Sequence, residues 1–173
     1  MSNQTAALPI ASVVLRILVI LNLVWGVCIF ALLCGTVFAH EWTLTALGIT
    51  SNHPIRGILL GLQAIAALGL VVIVFNAMIL KRLIAMVGTV RDGDPFVAAN
   101  AYRLHAIAWI MVGMQLLSIV IAAIGKAIST PEQPIHLEAG FSTTSWVAIL
   151  LTFILARVFA EGTIMRADLR GTV

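Results

Sequence analysis

Residues 57–80 read GILLGLQAIAALGLVVIVFNAMIL and contain no charged side chain. As an α-helix they would extend about 36 Å, at about 1.5 Å per residue, which exceeds the roughly 30 Å of hydrocarbon in a bilayer. Lipid offers the backbone no hydrogen-bond partners, so a segment this apolar must satisfy its own amides, and a helix does so. The stretch therefore predicts a transmembrane helix.

Three further apolar runs have a similar length and are bounded by polar or charged residues. They lie between Arg16 and His40, between Arg103 and Lys126, and between Glu138 and Arg157. The chain is 61% hydrophobic and 10% charged, whereas soluble proteins carry about 25% charged residues. The sequence therefore predicts an all-α membrane protein with four transmembrane helices in one domain, residues 1–173. The expected bounds of these helices are about 13–39, 57–91, 95–125 and 141–169.

The basic residues are distributed unevenly about the four spans. Of the ten Lys and Arg residues, one lies before the first span, four lie in the 81–105 loop, three lie at or after the end of the fourth span, and two lie on the other side. Basic residues accumulate on the cytoplasmic side, so we expect both termini and the 81–105 loop in the cytoplasm, and the 40–56 and 126–140 loops outside. The first run, 17–39, exceeds the 7–15 apolar residues typical of a signal peptide, so we expect it to remain as the first span.

The second and third spans are expected to continue into the cytoplasm as a helical hairpin. Past position 81 the apolar residues recur on one side of a helix, while polar and small residues occupy the other. Arg91-Asp92-Gly93 ends this helix, and Asp94-Pro95 starts the next, with Asp94 as an N-cap that accepts from the amides of residues 96 or 97. The end of the fourth span, which mixes charged and apolar residues, is expected to extend similarly. The candidate partner-docking residues at the hairpin are Arg82, Arg91, Asp94 and Phe96.

Two blocks of the sequence resemble a known family. The stretch TVRDGDPFV at 89–97, followed by Asn100-Ala101, Arg103-Leu104 and Ala108-Trp109, resembles the signature of a bacterial family of four-helix membrane proteins classed as a domain of unknown function. A second block, RVFAEG at 157–162, followed by Met165-Arg166, Asp168-Leu169 and Gly171-Thr172-Val173, is similar to the C-terminal end of that family.

The resemblance implies a location in the bacterial inner membrane. Relatives are often encoded beside small helix-turn-helix regulators, so it also implies a cytosolic regulator of that kind as a partner. It implies no catalytic residue. Arg170 stands where many relatives have an acidic residue, which removes support for a charge-specific role of the tail.

Sequence motifs of catalysis are absent, since the chain has no G-x-S-x-G, no phosphate-binding glycine loop, no H-E-x-x-H and no CxxC. We therefore expect a protein that is not an enzyme and carries no cofactor. The candidate metal site lies in the two outward loops, where imidazole and carboxylate groups suit zinc and similar ions. Solvated loop residues would give the same pattern. The residues concerned are His40, Glu41, His53, His136 and Glu138.

The polar residues within the spans are neutral, so the ionisable groups that proton and ion pathways use are missing there. We expect Asn22, Asn76, Gln115 and Thr152 to form hydrogen bonds between helices. Asn22, Asn76 and Thr152 lie at a similar depth near the cytoplasmic side, so they are expected to form one layer, with a site for a small polar ligand as the alternative. Small residues also recur at four-residue steps, in 31–39, 57–61 and 148–160, which favours close packing within the monomer or, alternatively, a homo-oligomer. The polar residues are Asn22, Gln63, Asn76, Gln115, Ser118 and Thr152.

The leading interpretation is a membrane-embedded interaction or regulatory protein, whose cytoplasmic hairpin docks a soluble regulator or another membrane protein. An accessory subunit of a larger membrane complex is one alternative, and a small transporter or lipid-binding protein is another. The lipid bilayer is itself an expected partner, because anionic headgroups attract the basic residues of the hairpin. Direct binding of nucleic acid is not expected, because no helix-turn-helix spacing or dense basic stretch is present.

Overall fold

A computed structural model describes residues 4–46, 55–129 and 139–171. The helices in these ranges are α1 Gln4–Phe38, α2 His40–Ala46, α3 Ile55–Arg91, α4 Ala98–Ile128 and α5 Thr143–Gly171. All except α2 are long and apolar enough to cross a membrane. The described ranges contain no strand, and the predicted all-α fold with four long apolar helices is confirmed.

The third helix, α3, continues well beyond the length that a membrane requires. It has 37 residues with no proline among them and runs past Lys81 to Arg91. At about 1.5 Å per residue it is about 55 Å long, against roughly 30 Å of hydrocarbon. Beyond its end, Gly93 adopts a φ of 82°, and the amide of Asp94 donates to the Thr89 carbonyl at 3.0 Å. This left-handed glycine cap terminates the helix where the sequence predicts.

The start of the next helix differs from the prediction. Helix α4 begins at Ala98 and not at position 95, the four preceding residues are not helical, and Asp94 is not an N-cap. A residue before proline disfavours the helical conformation, which applies to Asp94. The carbonyl of Pro95 accepts a hydrogen bond from the Asn100 side chain at 2.9 Å, which holds this segment outside the helix. The carboxylate of Asp94 instead forms an ion pair with Arg166 on α5.

Two other segments are more helical than expected. Helix α1 begins at Gln4, well before position 13, and the 40–56 loop, which lies outside the predicted helices, contains α2. In α2 both the amide and the hydroxyl of Thr43 donate to the Ala39 carbonyl at 2.9 Å. Thr43 also lies against Gly35, where an added Cβ would be 2.8 Å from its hydroxyl oxygen. These local contacts stabilise a helix of only seven residues, which is too short to show an apolar periodicity.

The chain divides into two compact units, each with its own packing. The first unit comprises Met1–Leu21, Phe75–Gly113 and Ser142–Val173, and the second comprises Asn22–Val74 and Met114–Phe141. Each unit is therefore assembled from segments that are distant in the sequence.

Glycines bring the helices of the second unit close together. A Cβ at Gly26 would lie 3.0 Å from Ile73, and a Cβ at Gly61 would overlap the side chain of Ile128. Gly57, one turn before Gly61, has no neighbour within 4 Å. Of the two small residues predicted on the second span, Gly61 therefore serves packing within the chain.

The first unit contains a buried stripe on α4. Leu104, Ile107 and Ala108 are 0–5% exposed, and Asn100 is fully buried. These four residues are spaced at i, i+4, i+7 and i+8, so they lie on one face of the helix. Asn100 thus occupies a core position, and its amide group needs hydrogen-bond partners inside the protein.

Candidate docking surface on the α3–α4 hairpin

Hydrogen bonds of the Asn100 side chain stabilise the hairpin between α3 and α4. Its Nδ2 group donates to the Thr89 hydroxyl at 2.6 Å and to the Pro95 carbonyl at 2.9 Å. The Thr89 hydroxyl in turn donates to the Met86 carbonyl at 2.8 Å. One buried amide therefore joins the last turns of α3, the connection and the first turn of α4.

Arg103 adds a second connection between the same helices. Its Nη1 group donates to Asn100 Oδ1 at 2.8 Å and approaches the Ala85 carbonyl on α3 at 3.5 Å. The first bond satisfies the acceptor of the Asn100 amide and fixes which way the amide points. Both polar ends of Asn100 are thus paired, which makes the hairpin a defined structure rather than a loose loop.

The end of α5 packs against the tip of the hairpin through an ion pair and an aromatic contact. Arg166 forms an ion pair with Asp94, and both side chains are about one-third exposed, at 35% and 36%. The ring of Phe96 packs on Phe159, with 5.3 Å between the ring centroids. Phe96 also lies against Gly162, where an added Cβ would be 2.9 Å from the ring. The tip and the end of α5 therefore form one surface.

Of the four residues predicted to dock a partner, two are used in these contacts and two are not. Asp94 and Phe96 hold α5 in place, so their role is largely structural. Arg82 donates from Nη1 to the Met78 carbonyl of its own helix at 3.1 Å, and Arg91 is exposed at the tip. The two arginines are nine residues apart on α3, so they project from opposite sides of the helix and do not form one patch.

The polar residues predicted within the spans mostly bond to backbone carbonyls. Asn22 on α1 donates to the Ile73 carbonyl of α3 at 3.1 Å, and Gln63 on α3 donates to the Thr36 carbonyl of α1 at 3.2 Å. These bonds join helices, because their donors and acceptors lie on different elements.

The remaining polar residues do not form one layer. Gln115 donates to the Gly140 carbonyl at 2.8 Å, and Ser118 Oγ accepts from the Gly140 amide at 2.9 Å. The Thr152 hydroxyl bonds to the Ala148 carbonyl of its own helix at 2.7 Å, and it also contacts Met111 Sδ on α4 at 3.7 Å. Asn76 forms no side-chain hydrogen bond with a residue in the described ranges.

The predicted metal ligands fall on parts of the chain that the structure does not describe. His53, His136 and Glu138 lie outside the described ranges, and for His40 and Glu41 only the backbone, in α2, is described. Within the described part of the chain, no three His, Cys, Asp or Glu residues are grouped as a metal site would require. The metal site remains a prediction.

An aromatic cluster lies on α4 and α5 and was not singled out from the sequence as a site. His105 and Trp109 on α4 both contact Phe153 on α5 edge to face, with ring centroids 5.5 and 5.6 Å apart. Trp109 Nε1 donates to His105 Nε2 at 3.1 Å. The four-residue spacing of His105 and Trp109 places both on one face of α4, a signal that the sequence does carry.

Comparison with known proteins identified no relative. No protein-family profile, no curated protein and no solved structure matches this chain. The class that the structure defines is an all-α protein in which four helices are long and apolar enough to cross a membrane. The resemblance of residues 89–97 to a bacterial family stays a prediction.

Proposed function

We propose that this is a multi-pass protein of the bacterial inner membrane that docks a partner on its cytoplasmic hairpin. The hairpin and the end of α5 form the docking surface, and the partner is a cytosolic regulator of the helix-turn-helix type or another membrane protein. The resemblance of the 89–97 and 157–173 blocks to a bacterial membrane family supports the compartment and the kind of partner. No catalytic step belongs to this proposal.

Exposure of apolar side chains supports membrane embedding. The most apolar stretch of α1 has no buried residue, and side chains such as Leu23, Val27 and Phe30 are more than half exposed. A water-soluble protein rarely exposes so large an apolar surface, because its contact with water is unfavourable. Lipid chains cover such a surface without that cost.

The observation that carries the docking proposal is the construction of the hairpin. Its buried side comprises Asn100, Thr89 and Arg103 in a satisfied hydrogen-bond network, while residues 91–93 at the tip are exposed. A surface that is already ordered loses little conformational entropy on binding, so it suits recognition. The exposed tip carries both a positive charge, Arg91, and a negative charge, Asp92.

Topology follows from the proposal and can be measured directly. A green fluorescent protein fused at position 94 or after Val173 is expected to fluoresce, and alkaline phosphatase at the same positions is expected to be inactive. The physical reason is the retention of basic residues on the cytoplasmic side. Fusions in the 126–140 loop serve as controls and should give the opposite result. An active phosphatase at position 94 would contradict the orientation.

Docking at the tip is expected to depend on Arg91 and not on Arg82. Arg91→Ala should reduce recovery of the partner about fivefold or more in gentle detergent, since one lost interfacial charge contact costs about 1 kcal/mol or more. Arg82→Ala is the matched control, because it removes the same charge from the opposite side of α3. The measurement is quantitative co-purification from the native host, with helix content and monodispersity compared among the variants. Equal recovery with both arginines replaced would remove support for docking at the tip.

The two alternative functions have less support from the described residues. An accessory subunit that packs laterally through small residues would need them exposed, and only some are. Gly61 is covered by Ile128 and Ala156 is 5% exposed, whereas Ala31, Ala39 and Gly57 are exposed. A transporter would need a polar path, but the groove between α4 and α5 is lined mostly by apolar side chains.

A further inference from the structure

An open groove of about 620 Å³ runs between α4 and α5 in the first unit. This volume lies in the range of roughly 300–1,000 Å³ that small-molecule sites occupy. Four of its lining residues are alanines, two on each helix, and their small side chains leave the room. The alanines are Ala98, Ala101, Ala156 and Ala160.

The groove lies at the level where the apolar parts of α4 and α5 end and the first basic residues appear. Arg103 is the last basic residue before the apolar part of α4, and Arg157 is the first after the apolar part of α5. Arg157 and Ala101, two residues before Arg103, line the same groove. Arg103 reaches Ala85 on α3, four residues past Lys81. Of these basic residues Arg157 lines the groove itself, at the depth at which phospholipid headgroups meet a membrane protein.

Three hydrogen-bond donors stand at the groove. Arg157 has a side chain 79% exposed, and Tyr102 is 77% exposed. His105 accepts from Trp109 through Nε2, so a neutral His105 carries its own proton on Nδ1. Its Nδ1 group is then a donor, and it has no acceptor among the described residues. Two neutral donors and a guanidinium provide what a phosphate group needs.

We propose that this groove binds an acidic phospholipid. The headgroup phosphate accepts hydrogen bonds from Arg157, His105 and Tyr102, and one acyl chain runs past Phe153 and Trp109 toward the apolar part of the spans. Charge complementarity selects this occupant, because the cation and the neutral donors lie where the groove meets the apolar spans, while the alanines on the side of Ala98 and Ala160 leave room for the headgroup. The inference rests on the proposed membrane embedding, but it is independent of docking at the hairpin tip.

Glu161 gives the site a built-in competitor. Its Oε1 lies 2.7 Å from Arg157 Nη2, one turn along α5, and its side chain is 47% exposed. A phosphate must share the guanidinium with this carboxylate, whose negative charge also repels the headgroup. Glu161→Gln should therefore strengthen the selection of acidic lipid, while Arg157→Gln should weaken it. These opposite effects of adjacent residues distinguish a site from a general surface charge.

Trp109 provides a reporter beside the groove, because its indole contacts both His105 and Phe153. We would replace Trp25, Trp42 and Trp146 by phenylalanine and reconstitute the protein in vesicles of phosphatidylcholine and phosphatidylglycerol. Bromine on the acyl chains of one lipid quenches Trp109, and competition between the lipids gives their relative binding constant. We expect phosphatidylglycerol to bind about fivefold more strongly, the ratio that corresponds to about 1 kcal/mol for one basic residue at the membrane surface.

The variants decide the proposal. Arg157→Gln should lower the ratio to about 1, Arg157→Lys should keep most of it, and Glu161→Gln should raise it, while Arg91→Gln, outside the groove, should leave it unchanged. A ratio near 1 in the parent protein would overturn the proposal, and so would an Arg91→Gln effect as large as that of Arg157→Gln. Equal quenching by both lipids would still support embedding in the membrane. No quenching by either lipid, together with a cross-linked dimer, would assign the groove to a second copy of the chain.

Discussion

Replacing Asn100 by leucine is expected to destabilise the α3–α4 hairpin by about 2–4 kcal/mol. Leucine has the same number of side-chain heavy atoms and the same branching, but it removes the donor to Thr89 and Pro95 and the acceptor for Arg103. Each polar group left buried without a partner costs about 1–3 kcal/mol. The loss should appear as faster hydrogen exchange of backbone amides at the end of α3 and the start of α4, by about a hundredfold.

The matched control for this variant is Asn76→Leu on α3. Asn76 is also partly buried, but its side chain bonds to no residue in the described ranges, so the same chemical change should alter stability little. Both variants would be compared in one detergent, with the exchange of α1 amides as an internal reference. Equal exchange in the hairpins of the Asn100→Leu and Asn76→Leu proteins would show that the Asn100 network contributes nothing to the hairpin.

Adding one methyl group at Gly61 is expected to lower the free energy of unfolding by up to about 2 kcal/mol. The new Cβ would overlap the Ile128 side chain, and overpacking of this kind costs about 1–3 kcal/mol. The better helix propensity of alanine offsets only part of that cost, since it is worth about 1 kcal/mol. The same substitution at Gly57 meets no atom within 4 Å, so it should be neutral or slightly stabilising. Titration with a denaturing detergent, followed by circular dichroism, measures both variants.

A rescue distinguishes packing within the chain from an external contact. Shortening the neighbour with Ile128→Ala should remove the clash, so Gly61→Ala should cost little in that background. This non-additivity is what a direct steric contact produces. If Gly61→Ala instead left stability unchanged and altered recovery of another membrane protein, the accessory-subunit alternative would gain the support that it now lacks.

The sequence was sufficient for the fold, because lipid permits few structures and long apolar runs identify the helices directly. Gly93 and the charged residues before it also located the end of α3. The start of α4 was placed too early, because Asp94-Pro95 has the local features of a helix start. Two contacts override them: Asn100 holds the Pro95 carbonyl, and Phe96 packs on Phe159. The second contact joins residues far apart in the sequence, so it leaves no local signal.

The site was only partly predictable. The hairpin was expected, but the fastening of α5 to its tip was not, because nothing in the sequence pairs Asp94 with Arg166. The role of Asn100 carried a detectable signal, since it continues the buried stripe of Leu104, Ile107 and Ala108. An asparagine at a core position of an amphipathic helix predicts a buried hydrogen-bond network. The groove could not be predicted from the sequence, because it depends on which faces of α4 and α5 are turned toward each other.

The two connections of the hairpin respond differently to ionic strength. The Asn100 bonds join a fully buried amide to a hydroxyl on α3, a carbonyl in the connection and a guanidinium on α4, so dissolved salt has little access to them. The Asp94–Arg166 pair is about one-third exposed, and salt screens such a pair over a Debye length that falls from about 10 Å at 0.1 M to about 3 Å at 1 M. Rising salt is therefore expected to weaken the Asp94–Arg166 pair, while the Phe96–Phe159 contact and the bonds between α3 and α4 persist. The charged half of the α5 attachment thus responds to the ionic composition around the protein, and the aromatic half does not.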